Sequence, residues 1–199
     1  MNIVYIHGAG ATPDSFNYLD AHLPHHDRIF LSYNSEDGFA PNLQAMLARL
    51  NGIDDIFFIA HSLGGIYALH LADRLGDAVK GVVTLATPFG GCDAAPIIQL
   101  FKPCQLYRDI GPHSPPIASG QRIEVTVPWL AVVTTAGRSH LINEPNDGVV
   151  TAKSMRQRQG VTFVEVETGH HEILMRRQTV EIIQARLEWM MRNAGMEAC

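Results

Sequence analysis

Short apolar segments alternate along the chain with segments of helical periodicity. The short segments are rich in Val, Ile and Phe, and they predict β-strands at residues 2–6, 28–32, 55–60, 80–86, 128–134 and 161–166. Each of them is apolar nearly throughout instead of alternating with polar residues, which is typical of strands covered on both faces. We therefore expect βαβ units around a mainly parallel six-stranded sheet with helices on both of its faces.

Three of the longer segments carry apolar residues at the spacing of one helix face. These residues are Leu43, Met46, Leu47 and Leu50, then Ile66, Leu69, Leu71 and Leu75, and last Ile182, Ile183, Leu187 and Met190. Such faces pack against a sheet far more often than they hold a cofactor, so we assign them to the core.

Residues 88–127 interrupt the alternation of strands and helices. The segment contains six prolines among short helical fragments: Pro88, Pro96, Pro103, Pro112, Pro115 and Pro116. It has too few apolar residues to form a core of its own, and long loops of this kind are often lids or binding loops. We expect a lid-like or substrate-binding excursion inside a single domain of residues 1–199.

Composition narrows the range of functions. The chain has 199 residues, of which 46% are hydrophobic, and this is enough for one continuous core. Its formal net charge is -5, and no run of Lys or Arg is present, which argues against a nucleic-acid partner or an anionic lipid surface. No apolar run approaches the roughly 18 to 20 residues that a membrane span requires.

The cysteines and the first residues bear on localisation. Cys92, Cys104 and Cys199 are odd in number and lack the spacing of metal ligands, although a disulfide between the first two is possible by separation. The chain starts directly with an apolar segment of strand length and shows no basic leader. We expect a cytoplasmic protein with no metal or other cofactor.

The strongest chemical signal lies where the third predicted strand ends. Ser62 stands in the sequence Ala60-His61-Ser62-Leu63-Gly64-Gly65, between that strand and a helix. A sharp strand-to-helix turn exposes the serine hydroxyl and requires small residues around it, which Ala60 and Gly64 supply. The backbone N–H of Leu63 would face an oxygen that gains negative charge, because it opens the helix. A serine that merely caps the helix is the alternative.

A glycine-containing turn follows the first strand. Residues 7–10 read His-Gly-Ala-Gly, and this turn lies beside Ser62 if the first and third strands are neighbours. The backbone N–H of Ala9 is then a second oxyanion donor. A phosphate-binding loop is the alternative, but the spacings G-x-G-x-x-G and G-x-x-x-x-G-K are both missing here.

A serine nucleophile requires a base and an orienting carboxylate later in the chain. Asp147 follows the strand at 128–134, and His170 and His171 follow the strand at 161–166. An Asp before Gly is often only a turn former, but the order Ser, Asp, His is that of the α/β-hydrolases. Asp109 is the alternative acid.

At this point the sequence resembles the α/β-hydrolase superfamily, and within it the small bacterial lipases and esterases whose serine motif begins with alanine. Residues 4–10, followed by Phe16, are similar to the oxyanion segment of that group, and residues 60–65 are similar to its nucleophile elbow. Residues 85–91 and 108–114 also resemble segments of these lipases. The resemblance covers nearly the whole chain, and it implies a parallel sheet, a catalytic triad and acyl transfer through an acyl-enzyme.

Two features depart from that group. The chain begins at what would be its third strand, so the leading antiparallel hairpin of larger members is expected to be missing. The doublet of histidines leaves the base open between His170 and His171. We prefer His170, because Gly169 gives the backbone the freedom to turn immediately before it, and we expect His171 to begin the C-terminal helix with Glu172. His61 is expected to pack beneath the turn of Ser62.

The function predicted from the sequence is hydrolysis of a small carboxylic ester by Ser62, His170 and Asp147, with Ala9 and Leu63 as oxyanion donors. The excursion supplies apolar residues for an acyl chain, namely Phe89, Ile97, Ile98, Leu100, Phe101 and Leu106, although these residues could equally form the packing of the segment itself. A thioesterase, an acyltransferase or an amidase with the same triad is the nearest alternative. A catalytically silent binding protein with this fold is a different class.

Overall fold

The computed structural model describes residues 1–24, 27–93, 95, 105–137 and 144–194. Within them, the predicted six-stranded sheet is confirmed, and each strand begins and ends within one residue of its predicted bounds. The strands are β1 Asn2–Ile6, β2 Asp27–Leu31, β3 Ile56–His61, β4 Val79–Leu85, β5 Trp129–Thr134 and β6 Thr162–Val166.

The sheet has the strand order β2-β1-β3-β4-β5-β6, and every neighbouring pair is parallel. The chain leaves β1 toward one edge to form β2 and then returns to the other side of β1 to form β3. The carboxyl ends of β1 and β3 therefore border the point at which the strand order reverses, where open parallel sheets bind their ligands.

Seven helices connect or flank the strands in the described part of the chain. They are α1 Asn17–His22, α2 Phe39–Leu50, α3 Leu63–Leu75, α4 Gln105–Ile110, α5 Pro115–Gly120, α6 Ala152–Met155 and α7 Arg177–Ala194. Short 3₁₀ turns cover Pro13–Phe16, Ser35–Asp37, Gly76–Ala78 and Glu172–Met175. None of the helices described is long and apolar enough to cross a membrane.

The sheet separates two apolar layers, as the apolar character of the strands predicts. Along β1, Val4 and Ile6 join the layer that contains α2 and α3, whereas Ile3 and Tyr5 join the layer that contains α1 and α7. The predicted helix faces lie in these layers, and Leu50 is fully buried. Burial on both sides makes β1 and β3 a rigid platform for the turns that follow them.

Two expectations about the connecting segments are wrong. Phe89 does not belong to the ligand cavity described below; it is buried in the layer of α3, with its ring 6.2 Å from that of Trp129. The C-terminal helix does not begin at His171, because residues 172–175 form a separate 3₁₀ turn and α7 starts only at Arg177. Ile97, Ile98, Leu100 and Phe101 lie outside the described residues, as do Cys104 and Cys199, so their expected roles stay predictions.

Candidate active site

Ser62 occupies a strained turn between β3 and α3. Its backbone angles are φ 52° and ψ -123°, a region that residues with a side chain rarely adopt. The turn is held by a hydrogen bond from the Ser62 N–H to the Leu85 carbonyl at 2.9 Å. Gly64 lets the turn approach β1, because a Cβ atom there would lie 2.2 Å from the Ile6 carbonyl oxygen. Ser62 is thus held where β3 ends by packing that only glycine at position 64 permits.

A continuous hydrogen-bonded chain joins three of the residues predicted from the sequence. The Ser62 hydroxyl lies 3.0 Å from Nε2 of His170, and Nδ1 of His170 lies 2.7 Å from Oδ2 of Asp147. All three side chains are buried. The arrangement requires the neutral imidazole to donate from Nδ1 and to accept at Nε2, which is the tautomer that can take a proton from Ser62.

The carboxylate of Asp147 accepts from four donors. One oxygen accepts from His170 and from the Thr134 hydroxyl at 2.5 Å, and the other accepts from the N–H groups of Val149 and Val150 at 3.0 and 2.8 Å. Burial opposes ionisation of this carboxyl, but the hydrogen bonds from His170 and Thr134 outweigh burial and hold the pKa of Asp147 below its ordinary value. Asp147 is therefore ionised at neutral pH. Thr134 is not predictable from the sequence, because a lone threonine at the end of a strand carries no local signal.

Main-chain hydrogen bonds join the turns that carry the acid and the base. The His170 N–H donates to the Asp147 carbonyl at 3.0 Å, and the Ala136 N–H donates to the Thr168 carbonyl at 3.0 Å. A third bond runs from the Gly137 N–H to the carbonyl of the residue before Asp147, at 2.7 Å. The relative position of acid and base is therefore set by the backbone as well as by their own contact.

Ala9 lies in the turn after β1, and the hydrogen bonds of that turn fix the direction of its N–H. The Gly8 carbonyl accepts from His7 Nδ1 at 2.8 Å and from the Ala11 N–H at 3.2 Å. Because the N–H and C=O of one peptide unit point in opposite directions, fixing the Gly8 carbonyl also fixes the Ala9 N–H. Ala9 and Leu63 line one cavity with Ser62, and neither of their N–H groups donates to another residue that the structure describes.

Tyr33, in the loop after β2, fixes His7 and with it this turn. The Tyr33 N–H donates to Nε2 of His7 at 3.3 Å, the Tyr33 hydroxyl donates to the His7 carbonyl at 2.9 Å, and the two rings stack 4.3 Å apart. Burial lowers the pKa of His7, so the neutral ring can accept at Nε2 while it donates from Nδ1. The Gly10 N–H donates to the Ser35 hydroxyl at 3.1 Å. These contacts brace the turn from the β2 side.

Neither alternative residue belongs to the hydrogen-bonded chain of Ser62, His170 and Asp147, although His171 lines the same cavity. His171 is exposed, its ring lies 5.0 Å from that of His170, and it makes no hydrogen bond to Ser62. Asp109 accepts instead from the Phe39 N–H at 2.8 Å and from the Gln105 amide at 3.0 Å. Of the two histidines, then, His170 lies beside Ser62.

The cavity above Ser62 is small and mainly apolar. Its volume is about 200 Å³, and its wall includes Leu106, Ile110 and Val149 together with His170. A larger depression of about 800 Å³ lies on another part of the surface and is formed by residues 121–125 and 156–160. Its lining includes none of Ser62, His170 and Asp147. No group of three His, Cys, Asp or Glu side chains in the described ranges is arranged to hold a metal ion.

Solved structures of low sequence identity have the same fold. A lipase of Bacillus licheniformis in its propeptide form matches with a TM-score of 0.75 over 94% of this chain and 50% of its own, at 16% identity. A metagenomic carboxyl esterase matches with a TM-score of 0.70 over 97% of this chain and 76% of its own, at 14% identity. A lipase-esterase related protein from Clostridium acetobutylicum matches with a TM-score of 0.64 over 95% and 93%, at 14% identity.

Sequence comparison adds nothing to this, because no protein-family model and no curated protein matches the chain. The parallel sheet, its order and these structural matches define the fold as that of the α/β-hydrolases.

Proposed function

We propose that this protein is a serine hydrolase that cleaves small carboxylic esters. The observation that carries the proposal is the chain from the Ser62 hydroxyl through His170 to Asp147, with distances of 3.0 and 2.7 Å. Ionised Asp147 orients the imidazole and stabilises its protonated form. Motif and chain order in the sequence predict the same three residues.

The reaction proceeds in two acyl transfers. Nε2 of His170 takes the proton of Ser62 as Oγ attacks the ester carbonyl carbon, and the N–H groups of Ala9 and Leu63 hold the resulting oxyanion. The imidazolium returns this proton to the departing alcohol, which leaves an acyl group on Ser62. His170 then deprotonates a water molecule that attacks the acyl-enzyme, and collapse of the second oxyanion releases the acid and restores Ser62. Each oxyanion donor is expected to lower the barrier by about 3 to 4 kcal/mol.

The cavity supports a small substrate with an apolar acyl group. Its volume of about 200 Å³ lies below the range of about 300 to 1,000 Å³ that is usual for drug-sized ligands. Leu106, Ile110 and Val149 offer apolar contact to an acyl chain, and no Lys or Arg belongs to the described wall. We expect acetyl and butyryl esters to be cleaved faster than esters of long fatty acids.

Labelling with a fluorophosphonate probe tests the nucleophile directly. The probe should phosphonylate Ser62 of the wild-type protein, and peptide mass spectrometry should locate the adduct there. Ser62→Ala should abolish labelling, whereas Ser119→Ala should retain it, because Ser119 lies on α5 and binds only backbone carbonyls. A wild-type protein that stays unlabelled would favour a silent binding protein with this fold.

The leaving group requires a separate experiment, since the triad is shared by esterases, thioesterases, acyltransferases and amidases. Turnover of matched acetyl esters, thioesters and anilides, with and without an added alcohol, separates these activities. Esters should give the highest kcat/KM. The added alcohol should not accept the acyl group in place of water, so the free acid should remain the product. A higher kcat/KM for thioesters would replace the proposed substrate class without changing the nucleophile.

A further inference from the structure

His61 is a buried histidine that the proposed reaction does not use. It is the last residue of β3, directly before Ser62, and it is 1% exposed. Its Nε2 lies 2.8 Å from the main-chain carbonyl oxygen of His170, and the two rings are 4.8 Å apart. Because a carbonyl can only accept, Nε2 of His61 must carry the hydrogen and donate it. The end of β3 therefore contacts His170 twice. Ser62 hydrogen-bonds to its imidazole, and His61 hydrogen-bonds to its main-chain carbonyl.

Packing alone is a poor explanation for an imidazole at this position. Nδ1 of His61 is buried and has no hydrogen-bond partner among the described residues. An unpaired buried acceptor costs free energy that an apolar side chain of similar size would avoid. The neighbouring turn also makes room for this ring, because a Cβ atom on Gly8 would lie 2.8 Å from Nδ1. The Nε2 donor is the contact that an apolar residue could not replace.

We propose that His61 is a positioning residue for the base: its Nε2–H holds the His170 carbonyl and so keeps the His170 imidazole in line between Ser62 and Asp147. This inference rests on the proposed function. The peptide units on both sides of His170 are then fixed, since its N–H donates to the Asp147 carbonyl at 3.0 Å and its C=O accepts from His61. Ser62 and His170 are thereby both positioned by the same rigid element, the end of β3.

His61 keeps this role while His170 gains and loses a proton. The pKa of His61 is lowered to about 3, chiefly by burial and then by the nearby imidazoles of His170 and His171, whereas the hydrogen bond to the His170 carbonyl and the charge of Asp147 act in the opposite direction. His61 is therefore neutral at the pH of the reaction. A neutral ring can donate to the carbonyl without placing a second positive charge beside the imidazolium of His170.

Two substitutions at position 61 separate the donor from the bulk of the ring. His61→Leu removes the donor and keeps an apolar side chain, whereas His61→Gln can place an amide N–H near the position of Nε2. We expect His61→Leu to lower kcat about 10- to 100-fold with KM changed by less than about threefold, because His61 is only 1% exposed and acts through His170 instead of holding the substrate. His61→Gln should recover most of the lost kcat. Thermal melting followed by circular dichroism confirms that each variant is folded.

If His61→Leu does not fold, His61→Asn takes its place. The asparagine amide is too short to reach the His170 carbonyl, so the same loss of kcat is expected.

A double-mutant comparison distinguishes positioning from a general structural effect. In a His170→Ala background, no imidazole is left to position, so adding His61→Leu should change the residual rate by less than about twofold. Equal losses in both backgrounds, or a folded His61→Leu variant with the kcat of wild type, would overturn the positioning role.

Fluorophosphonate labelling keeps this result separate from the proposed function. A wild-type protein that is neither labelled at Ser62 nor active on esters refutes the hydrolase. A wild-type protein and a His61→Leu variant labelled at the same rate refute only the role of His61.

Discussion

The buried imidazole of His61 should make the stability of the protein depend on pH. The pKa of His61 is lowered to about 3 in the folded protein, with burial as its largest cause, whereas the unfolded chain has the ordinary histidine value of 6.5. Between these values the unfolded chain binds a proton that the folded protein excludes. The contribution of neutral His61 to the free energy of unfolding is therefore fully present above pH 6.5 and is lost as the pH falls toward 3.

The size of the effect follows from the two pKa values. Between pH 7 and pH 4.5, protonation of His61 in the unfolded chain should lower the free energy of unfolding by about 2.5 kcal/mol. His61→Gln removes this pH-dependent loss of unfolding free energy, because an amide does not titrate. The glutamine retains a donor for the His170 carbonyl. His7, His70 and Asp147 contribute in the same direction, but they do so equally in both proteins. The difference between wild type and variant isolates His61.

Urea denaturation at pH 7.0, 6.0, 5.2 and 4.5 measures this difference, with a constant m-value as the test that unfolding stays two-state. His22→Gln is the matched control, since His22 is exposed and its ring contacts the carbonyl and the ring of Tyr18, one turn earlier in α1. The control should follow the wild-type curve. Parallel curves for wild type and His61→Gln, or a steeper curve for the variant, would refute the assignment of His61 as a buried neutral residue.

Three further predictions concern the reaction and its support. Ser62→Ala and His170→Ala should each lower kcat for an ester by at least about 10³-fold on folded protein, whereas His171→Ala should change it by less than about tenfold; dead His171→Ala with active His170→Ala would reverse the assignment. Thr134→Val should lower the free energy of unfolding by about 1.5 to 3 kcal/mol in urea, because ionised Asp147 loses a buried donor, and an unchanged midpoint would contradict this. Dialysis against EDTA should leave ester turnover unchanged, since the triad needs no Lewis acid; activity that is lost and then restored by zinc or calcium would reveal a metal site.

The strands and the position of Ser62 were predictable from local sequence. Continuous apolar runs locate the strands, because burial on both faces leaves few positions for polar residues. Ser62 follows β3 at a turn with small neighbours, so the local sequence alone predicts its position. Asp147 has no such local signal, and only its position between Ser62 and His170 in chain order singles it out.

Other parts of the site depend on contacts that no local pattern shows. Tyr33 braces His7 from 26 residues away, and His61 reaches the His170 carbonyl across 109 residues. The sequence leaves Phe89 open between the cavity and packing, because an apolar residue in a loop can face either a ligand or the core, and the structure places it in the core. The start of α7 was misplaced because the 3₁₀ turn before it has the same apolar spacing as a first helical turn.

The main-chain bonds between the acid turn and the base turn have a consequence for directed evolution. Every residue type except proline supplies a main-chain N–H, so an exposed side chain in these turns can be varied while the main-chain bonds between acid and base survive. Proline should be excluded at Ala136, Val149 and Val150, whose N–H groups donate to the partner turn or to the carboxylate. Gly137 must stay glycine, because a Cβ atom there would lie 1.7 Å from the Gly148 nitrogen. Val149 is 42% exposed and lines the cavity, which makes its side chain the natural first position for a library that seeks new acyl specificity.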